Sequence, residues 1–173
     1  MPNNANTYSL LSTVSLSSTG SISFTSIPQI YTDLKLIISA KNTTSADMLH
    51  LKFNGGSNYV NAFTRINGYD GASYTADAST GGNGEFIYGG IGFSGQAGWG
   101  CCDIYITKYT SSGSKAIHGY GANKNNVASL QSMSMVGGSI TSIGAISSIE
   151  IYSTGGATLA SGSMASLYGI AKY

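Results

Sequence analysis

The fold is decided by residues 31–40, YTDLKLIISA, in which apolar and polar side chains alternate with a period of two. Leu34, Leu36 and Ile38 fall on one face of an extended segment, and Lys35 lies on the other. Successive side chains of a β-strand point to opposite faces of its sheet, so this alternation indicates a strand with one buried face. Its length and apolar content predict a central position in the sheet.

The same alternation recurs on both sides of this segment, bounded by Gly, Asn, Ser and Asp. It predicts further strands at residues 8–16, 22–24, 48–53, 59–65, 102–107, 115–120, 127–135, 149–152 and 164–170. Apolar residues at helical spacing are nearly absent. The sequence therefore predicts an all-β fold, a single-domain antiparallel β-sandwich of the jelly-roll type over residues 1–173.

The composition indicates a folded chain of low charge. Charged residues make up 9% and hydrophobic residues 42%, with 24 Gly and 12 Tyr, and the formal net charge is +1. Disordered chains have fewer apolar and aromatic residues. The Lys and Arg residues form no cluster that could neutralise a run of phosphates, which argues against nucleic-acid binding. A low net charge gives little electrostatic repulsion between copies of the chain. This favours a protein that is part of an assembly.

Two further features bear on the compartment. No run of apolar residues is long enough for a membrane span, and the first residues, MPNNAN, lack the charge and apolar run of a signal peptide. We therefore expect synthesis in the cytoplasm and no membrane partner. Cys101 and Cys102 are adjacent, so in a strand they point to opposite faces, and we expect two reduced thiols.

The residues that could carry chemistry are few and scattered. Asp70, Asp77 and Glu85 share one loop-rich region, but their spacing matches no Ca²⁺ loop, and we interpret them as solvated acids. His50 is predicted on the outward face of its strand, and His118 lies beside a glycine, both in surface or cross-strand packing roles. The sequence thus predicts no catalytic residues, no metal site, no cofactor and no enzyme.

Residues 67–100 differ from the rest of the chain, because glycines interrupt every apolar run. We predict a long excursion with one or two short strands at residues 86–93. Tyr and Trp among Ser, Gly and Asn form adaptable contact surfaces, which makes the aromatic residues of this excursion a candidate protein interface. These are Tyr69, Tyr74, Phe86, Tyr88, Phe93 and Trp99. Sugar stacking is the alternative, with candidate glycan contacts at Asp70, Asp77 and Trp99.

Two stretches carry a family resemblance. The run FTSIPQIYTDLKLIISAK at residues 24–41, followed by LKFNG at 51–55, is similar to a pattern in small virion structural proteins of tailed bacteriophages, especially those of aquatic bacteria. IEIY at 149–152, SGS at 161–163 and SLYGI at 166–170 resemble the closing strands of the same group. The resemblance covers the first third and last sixth of the chain and brings no catalytic or ligand residues.

The resemblance implies a β-sandwich on a phage particle, as a capsid decoration protein or as a tail or fibre component. The lack of heptads and repeats favours the decoration protein over a long fibre. The expected partners are the major capsid protein and copies of this chain, with a trimer as the expected oligomer. A glycan-binding module for host attachment, with a host surface glycan as partner, is the alternative. The expected location is the virion, after synthesis in the host bacterial cytoplasm.

Overall fold

The fold is seen in a computed structural model, which describes residues 7–43, 49–55, 62–69, 73–80, 85–87, 98–124, 131–141, 143–153 and 158–171. The regular elements of these residues are strands. Their bounds are β1 Tyr8–Ser15, β2 Ile22–Phe24, β3 Asp33–Ala40, β4 Leu49–Phe53, β5 Ala62–Tyr69, β6 Ser73–Thr80, β7 Glu85–Ile87, β8 Gly100–Ile106, β9 Lys115–Lys124, β10 Gln131–Ile140, β11 Ile149–Ser153 and β12 Met164–Ile170. The predicted all-β class is confirmed.

The strands form two antiparallel sheets, which we call the large and the small sheet. The large sheet has eight strands in the order β1-β12-β3-β8-β9-β10-β5-β6, and the small sheet has four in the order β2-β11-β4-β7. Buried side chains from both sheets belong to one hydrophobic cluster. The molecule is therefore a β-sandwich, as the sequence predicts.

The strand pairing is that of a jelly roll. β1 pairs with β12, β2 with β11, β3 with β8 and β4 with β7, all antiparallel. These four pairs alternate between the sheets, the first and third in the large sheet and the second and fourth in the small sheet. A long hairpin rolled up in this way gives the two Greek keys of a jelly roll. The jelly-roll prediction is confirmed.

Two inserted hairpins widen the large sheet. β5 and β6 come between β4 and β7 in sequence, and β9 and β10 come between β8 and β11. Both hairpins join the β8 side of the large sheet, where β9 pairs with β8, β10 with β9, β5 with β10 and β6 with β5. The large sheet therefore extends beyond the four strands that the jelly roll itself contributes.

The core lies between the sheets and follows the alternation in the sequence. Leu34, Leu36 and Ile38 of β3 are fully buried. Leu51 and Ile151 approach from the small sheet and are also fully buried. Burial of such aliphatic side chains stabilises a fold by about 1.5–3 kcal/mol each, which makes this cluster the main source of stability.

Polar side chains hold the loops at one end of the sandwich, which follow β4, connect β8 to β9 and precede β11. Asn54 accepts hydrogen bonds from the backbone N–H groups of Ser147 and Ser148 and donates from Nδ2 to the carbonyl of Ala145. The buried Lys115 donates from Nζ to the carbonyls of Ser111 and Gly113, each at 2.9 Å, and to that of Ile143 at 3.1 Å. Burial lowers the pKa of Lys115. These contacts connect loops distant in sequence.

The structure differs from the sequence prediction mainly in the Gly-rich excursion. Within residues 67–100 it contains the eight-residue strand β6, which the sequence analysis missed, and the short strand β7, which confirms a strand near Phe86. β10 begins and ends later than the predicted residues 127–135. Residues 73–80 read SYTADAST and show no apolar face in alternation with a polar one, which explains why β6 was missed.

No helix in the described ranges is long and apolar enough to cross a membrane.

Candidate functional site

The candidate site is the outer face of the large sheet, the face turned away from the small sheet. The strand register places its residues in rows across the sheet. One row runs Met164, Ser39, Cys101, Ala122, Met133 from β12 to β10, and the next runs Ser166, Ile37, Asp103, Tyr120, Met135. Residues directly opposite in an antiparallel pair lie on the same face, so these side chains form one continuous surface.

These two rows are largely apolar and exposed, and we call them the apolar half of the outer face. Met133 is 58% exposed, Met135 56%, Tyr120 53% and Ile37 46%. Met164 continues the surface onto β12 and is also exposed. Isolated exposed apolar residues are common on soluble proteins, but a contiguous group across several strands is typical of an interaction site.

A shallow hollow lies within this half. Its volume is about 290 Å³, and its lining includes Ile37 of β3, Cys101 of β8, Ala122 of β9 and Met133 of β10. Small side chains on the two middle strands leave the depression, and larger ones rise on either side. The outer face is therefore uneven, and an apolar side chain of another protein could fit into the hollow.

The described ionic groups of the outer face have partners within the chain. The Lys35 ammonium lies 2.8 Å from a carboxylate oxygen of Asp103, and the hydrogen bond between them raises the pKa of Lys35. The Asp33 carboxylate accepts a hydrogen bond from the Tyr105 hydroxyl at 2.7 Å and one from the backbone N–H of Lys108 at 2.6 Å. The ionic groups beside the apolar half thus have partners in the same molecule.

The third row, beside the apolar half, is polar and aromatic. Tyr105 and His118 lie opposite each other in the register, and their rings stack at 5.3 Å between centroids. This confirms the cross-strand packing role predicted for His118. Lys35 belongs to the same row, and its Nζ lies 5.6 Å from the centroid of the Tyr8 ring on β1.

The two cysteines have opposite environments, as predicted. Cys101 is exposed on the outer face and Cys102 is buried on the inner face, both as free thiols. Burial raises the pKa of the Cys102 thiol. Since the thiolate is the reactive form, Cys101 is the more reactive of the two.

The structure divides the aromatic residues that the sequence singled out as an interface. Tyr69 and Tyr74 lie on β5 and β6, next to the connection between those strands, whereas Phe86 lies on β7 of the small sheet. Tyr88 and Phe93 fall outside the described residues. The members that the structure describes are thus spread over two sheets.

Trp99 precedes β8 and is 49% exposed. The tip of its ring lies 3.1 Å from the point where a Cβ of Gly162 would stand, and Gly162 has a positive φ of 86°. The positive φ favours glycine at this position, and a Cβ there would also stand close to the Trp99 ring. Trp99 rests on the turn before β12.

The predicted glycan contacts are not brought together. Asp77 lies on β6, opposite Arg65 in the register, and β6 is separated from β8 by β9, β10 and β5. Four strand spacings of about 4.8 Å separate β6 from β8 by about 19 Å across the sheet, and Asp77 lies in the row of Ile104, five residues beyond Trp99 along the chain. Asp70, the third member, lies outside the described residues.

The structure distinguishes between the two roles predicted for His50, surface exposure and cross-strand packing. His50 occupies an outward position on β4 but is 4% exposed, and its ring lies 5.5 Å from that of Tyr152 on β11. The strand alternation was read correctly, but neighbouring groups cover the position. Burial lowers the pKa of His50 to about 4. Its packing against the neighbouring strand agrees with the cross-strand role that the sequence allowed.

Two of the three candidate acids, Asp77 and Glu85, lie in the described residues, and they belong to different sheets. Glu85 stands opposite His50 in the register, on the small sheet, whereas Asp77 lies on the large sheet. Across the residues that the structure describes, no group of three His, Cys, Asp or Glu side chains could hold a metal ion.

Sequence analysis missed the apolar half of the outer face. The segment from Ser132 to Val136 reads SMSMV, and a signal for exposed Met133 and Met135 was available in the alternation itself. Alternation alone cannot tell which face is buried, and the structure buries Ser134 and Val136 instead. Which of the two faces of β10 is buried becomes known only from the position of β10 beside β9 in the sheet.

Comparison with known proteins gives little further information. No family model matches the chain, and no curated protein matches it. Among solved structures, the chain has a weak likeness to the CBM2 module of the evolved Dit of Lactobacillus casei BL23 phage J-1. The identity is 10%, the match covers 88% of this chain and 70% of that one, and the TM-score is 0.19. A likeness at this TM-score carries no argument about fold or function.

Proposed function

We propose that the chain is a structural protein of a tailed-phage particle, a capsid decoration protein that acts by adhesion. The observation that carries the proposal is the apolar half of the outer face, where Ile37, Tyr120, Met133 and Met135 are exposed together. A surface of this kind is stabilised when another protein covers it, because apolar area is then removed from water. The proposal assigns no catalysis to the chain.

Two further arguments support the setting. The sequence resemblance at residues 24–41 and 149–170 is to virion structural proteins, and these residues build strands β3, β11 and β12 of the sandwich. Jelly rolls occur in viral capsid proteins and also in lectins, so the fold is compatible with this function at the level of analogy. The net charge of +1 allows dense packing of copies with little repulsion.

The mechanism follows from mass action. A protein that binds the assembled shell and not its separated subunits stabilises the shell by the free energy of that binding. An interface of ordinary size, about 800 Å² on each partner, is sufficient for specific attachment. Binding at many equivalent positions would raise the temperature at which the shell opens.

The test is the location of the chain on the particle that carries its gene. We expect an electron-microscopy map of the purified particle to show the sandwich on the outer surface of the head. Particles that lack the protein should open at a lower temperature, and purified protein added back should restore the loss. A chain found in the tail, or missing from the particle, would refute the decoration function.

A glycan-binding module is the second candidate, and the observation that favours it is the half-exposed ring of Trp99 at the end of the large sheet. An exposed indole is a suitable platform for a sugar ring. Titration with host surface glycans should then shift the fluorescence of Trp99, the single tryptophan of the chain, and Trp99→Ala should abolish binding. Unchanged fluorescence across a glycan panel excludes this candidate.

A further inference from the structure

We infer that the apolar half of the outer face is covered by the same surface of a second copy of this chain, related by a two-fold axis. The inference rests on the proposed function and names the partner of the surface that carries it: on the particle this surface joins two copies of the chain, and the pair attaches to the shell through the rest of the sandwich. Four properties of the outer face support a second copy: its area, its distribution of apolar and polar residues, its charge and its relief.

The outer face is large enough for a stable dimer. The large sheet has eight strands, and strands lie about 4.8 Å apart, so the face is about 34 Å wide. With strands of seven to ten residues and a rise of about 3.4 Å per residue, its height is about 24–34 Å. The whole outer face, with the apolar half as its centre, therefore has an area of about 800–1,150 Å², which accommodates the roughly 800 Å² that each partner buries in a standard interface.

The residues on the outer face are distributed as in an interface. The apolar rows, with Met133, Met135 and Tyr120, lie beside the polar row that contains Lys35 and His118. Protein interfaces have an apolar centre and a polar, solvent-accessible rim. A two-fold axis through the apolar rows would put the polar rows of both copies at the rim.

Charge favours a second copy over a charged partner. Lys35 is paired with Asp103, and Asp33 accepts hydrogen bonds from Tyr105 and from Lys108 of its own chain. These described ionic groups of the outer face therefore need no countercharge from a partner. The charged groups of a strongly acidic or basic partner would lose their hydration water at this surface. They would gain no complementary charge in return.

The shape of the outer face allows two copies to fit together. The hollow of about 290 Å³ lies next to the protruding side chain of Met135, which follows Met133 on the same face of β10. In an isologous dimer each copy offers both the hollow and the protrusion. Methionine is unbranched and flexible, which suits it to fill an irregular hollow in a partner.

The oligomeric state of the full chain, measured by light scattering and sedimentation equilibrium, tests the inference. We expect wild type at twice the mass of a single chain, dissociating on dilution. Ile37→Lys and Met135→Lys should be monomeric at the same concentrations, because each would place a charge in the apolar centre. Both positions are exposed, so we expect the variants to fold, and circular dichroism checks this.

A matched control comes from Ile30, which is 77% exposed and lies in the loop before β3, outside the outer face. Ile30→Lys makes the same change of chemistry elsewhere and should remain dimeric. A monomeric wild type, or a dimer that persists in both outer-face variants, would overturn the inference. A trimer would overturn the two-fold arrangement even if Met135→Lys dissociated it.

Cys101 supplies a second readout, since its thiol is exposed on the proposed contact surface. Its rate of reaction with a water-soluble thiol reagent should fall as wild-type concentration rises and stay constant for Met135→Lys. Equal rates at all concentrations in wild type would contradict the dimer. Cys102, which is buried, should react only on unfolding.

The two proposals fail separately. If the chain is monomeric in solution and still decorates the head, the dimer is wrong and the decoration function stands. If the chain dimerises as described but is missing from the particle, the decoration function is wrong and the dimer stands.

Discussion

Lys35 on β3 and Asp103 on β8 form an ion pair at 2.8 Å across two adjacent strands of the outer face. In the register Lys35 stands opposite Tyr105 and Asp103 opposite Ile37, so the pair is a diagonal one. Diagonal neighbours are within reach of long side chains. The pair thus ties β3 to β8 at the boundary between the apolar and polar rows.

We predict that Asp103→Asn lowers the free energy of unfolding by no more than about 1 kcal/mol, because both partners keep partial contact with water. A double-mutant cycle with Lys35→Met should give a coupling energy of about 0.5–1 kcal/mol in urea denaturation. A coupling energy of zero would show that the interaction between Lys35 and Asp103 adds nothing to stability.

The pH dependence of this pair has a definite sign. The pKa of Lys35 is raised, chiefly by the hydrogen bond to Asp103, so its contribution is complete below the ordinary lysine pKa. It is lost as the pH rises through the raised value. The cycle should therefore give the same coupling energy at pH 7 and pH 9.

Gly119 and Gly137 form a matched pair for the packing of the large sheet. A Cβ on Gly119 would stand 2.7 Å from the carbonyl oxygen of Asp103, whereas a Cβ on Gly137 would meet nothing within 4 Å. Gly119→Ala should therefore destabilise the fold by about 1–3 kcal/mol, because backbone must shift. Gly137→Ala should be neutral or stabilising by up to about 1 kcal/mol. Equal midpoints in urea for the two variants would contradict this packing.

Lys115 is predicted to be the most important cation for stability. Its Nζ donates to the three carbonyls of Ser111, Gly113 and Ile143, and the side chain is 1% exposed. Lys115→Met keeps the apolar stem but leaves those carbonyls without their donor, at a cost of about 2–4 kcal/mol. Lys108→Met, at an exposed position, is the control and should change the unfolding free energy by less than about 0.5 kcal/mol. Similar losses in both variants would show that the Lys115 contacts do not stabilise the loops.

The architecture of the sandwich was predictable where one face of a strand is strongly apolar. Residues 164–170 were predicted as a strand with the bounds of β12, and Leu34, Leu36 and Ile38 were placed inward on β3. In such strands one side is buried, and the alternation of apolar and polar residues in the sequence shows directly which side it is. β6 has no comparable contrast, since residues 73–80 read SYTADAST, and its place at the edge of the large sheet comes from pairing with β5.

The candidate site was less predictable than the fold. The sequence directed attention to aromatic residues of the excursion, and the exposed apolar surface lies instead on β3, β8, β9 and β10. An exposed Met133 and a buried Ser134 invert the ordinary preference of each residue type. The alternation of SMSMV shows that Met133 and Met135 share a face, but which of the two faces is buried appears only after the packing of β10 is known.

The burial of His50 predicts a loss of stability in acid. The pKa of His50 is lowered to about 4, and an unfolded histidine has a pKa of about 6.5. Between these values the unfolded chain binds a proton that the folded chain does not, so stability falls as the pH drops through this window. The full effect is about 3 kcal/mol, complete near pH 4 and absent above about pH 7.

The measurement is urea denaturation of wild type, His50→Gln and His118→Gln at several values between pH 7 and pH 4.5. Groups other than His50 also contribute to the pH dependence of stability, so the informative quantity is the difference in slope between variants. His50→Gln should have the shallower dependence on pH, whatever its stability at pH 7. His118→Gln, which replaces an exposed histidine on the opposite sheet, should retain the wild-type slope. If all three slopes coincide, His50 is protonated in the folded chain and its burial beside Tyr152 does not control the acid stability of the sandwich.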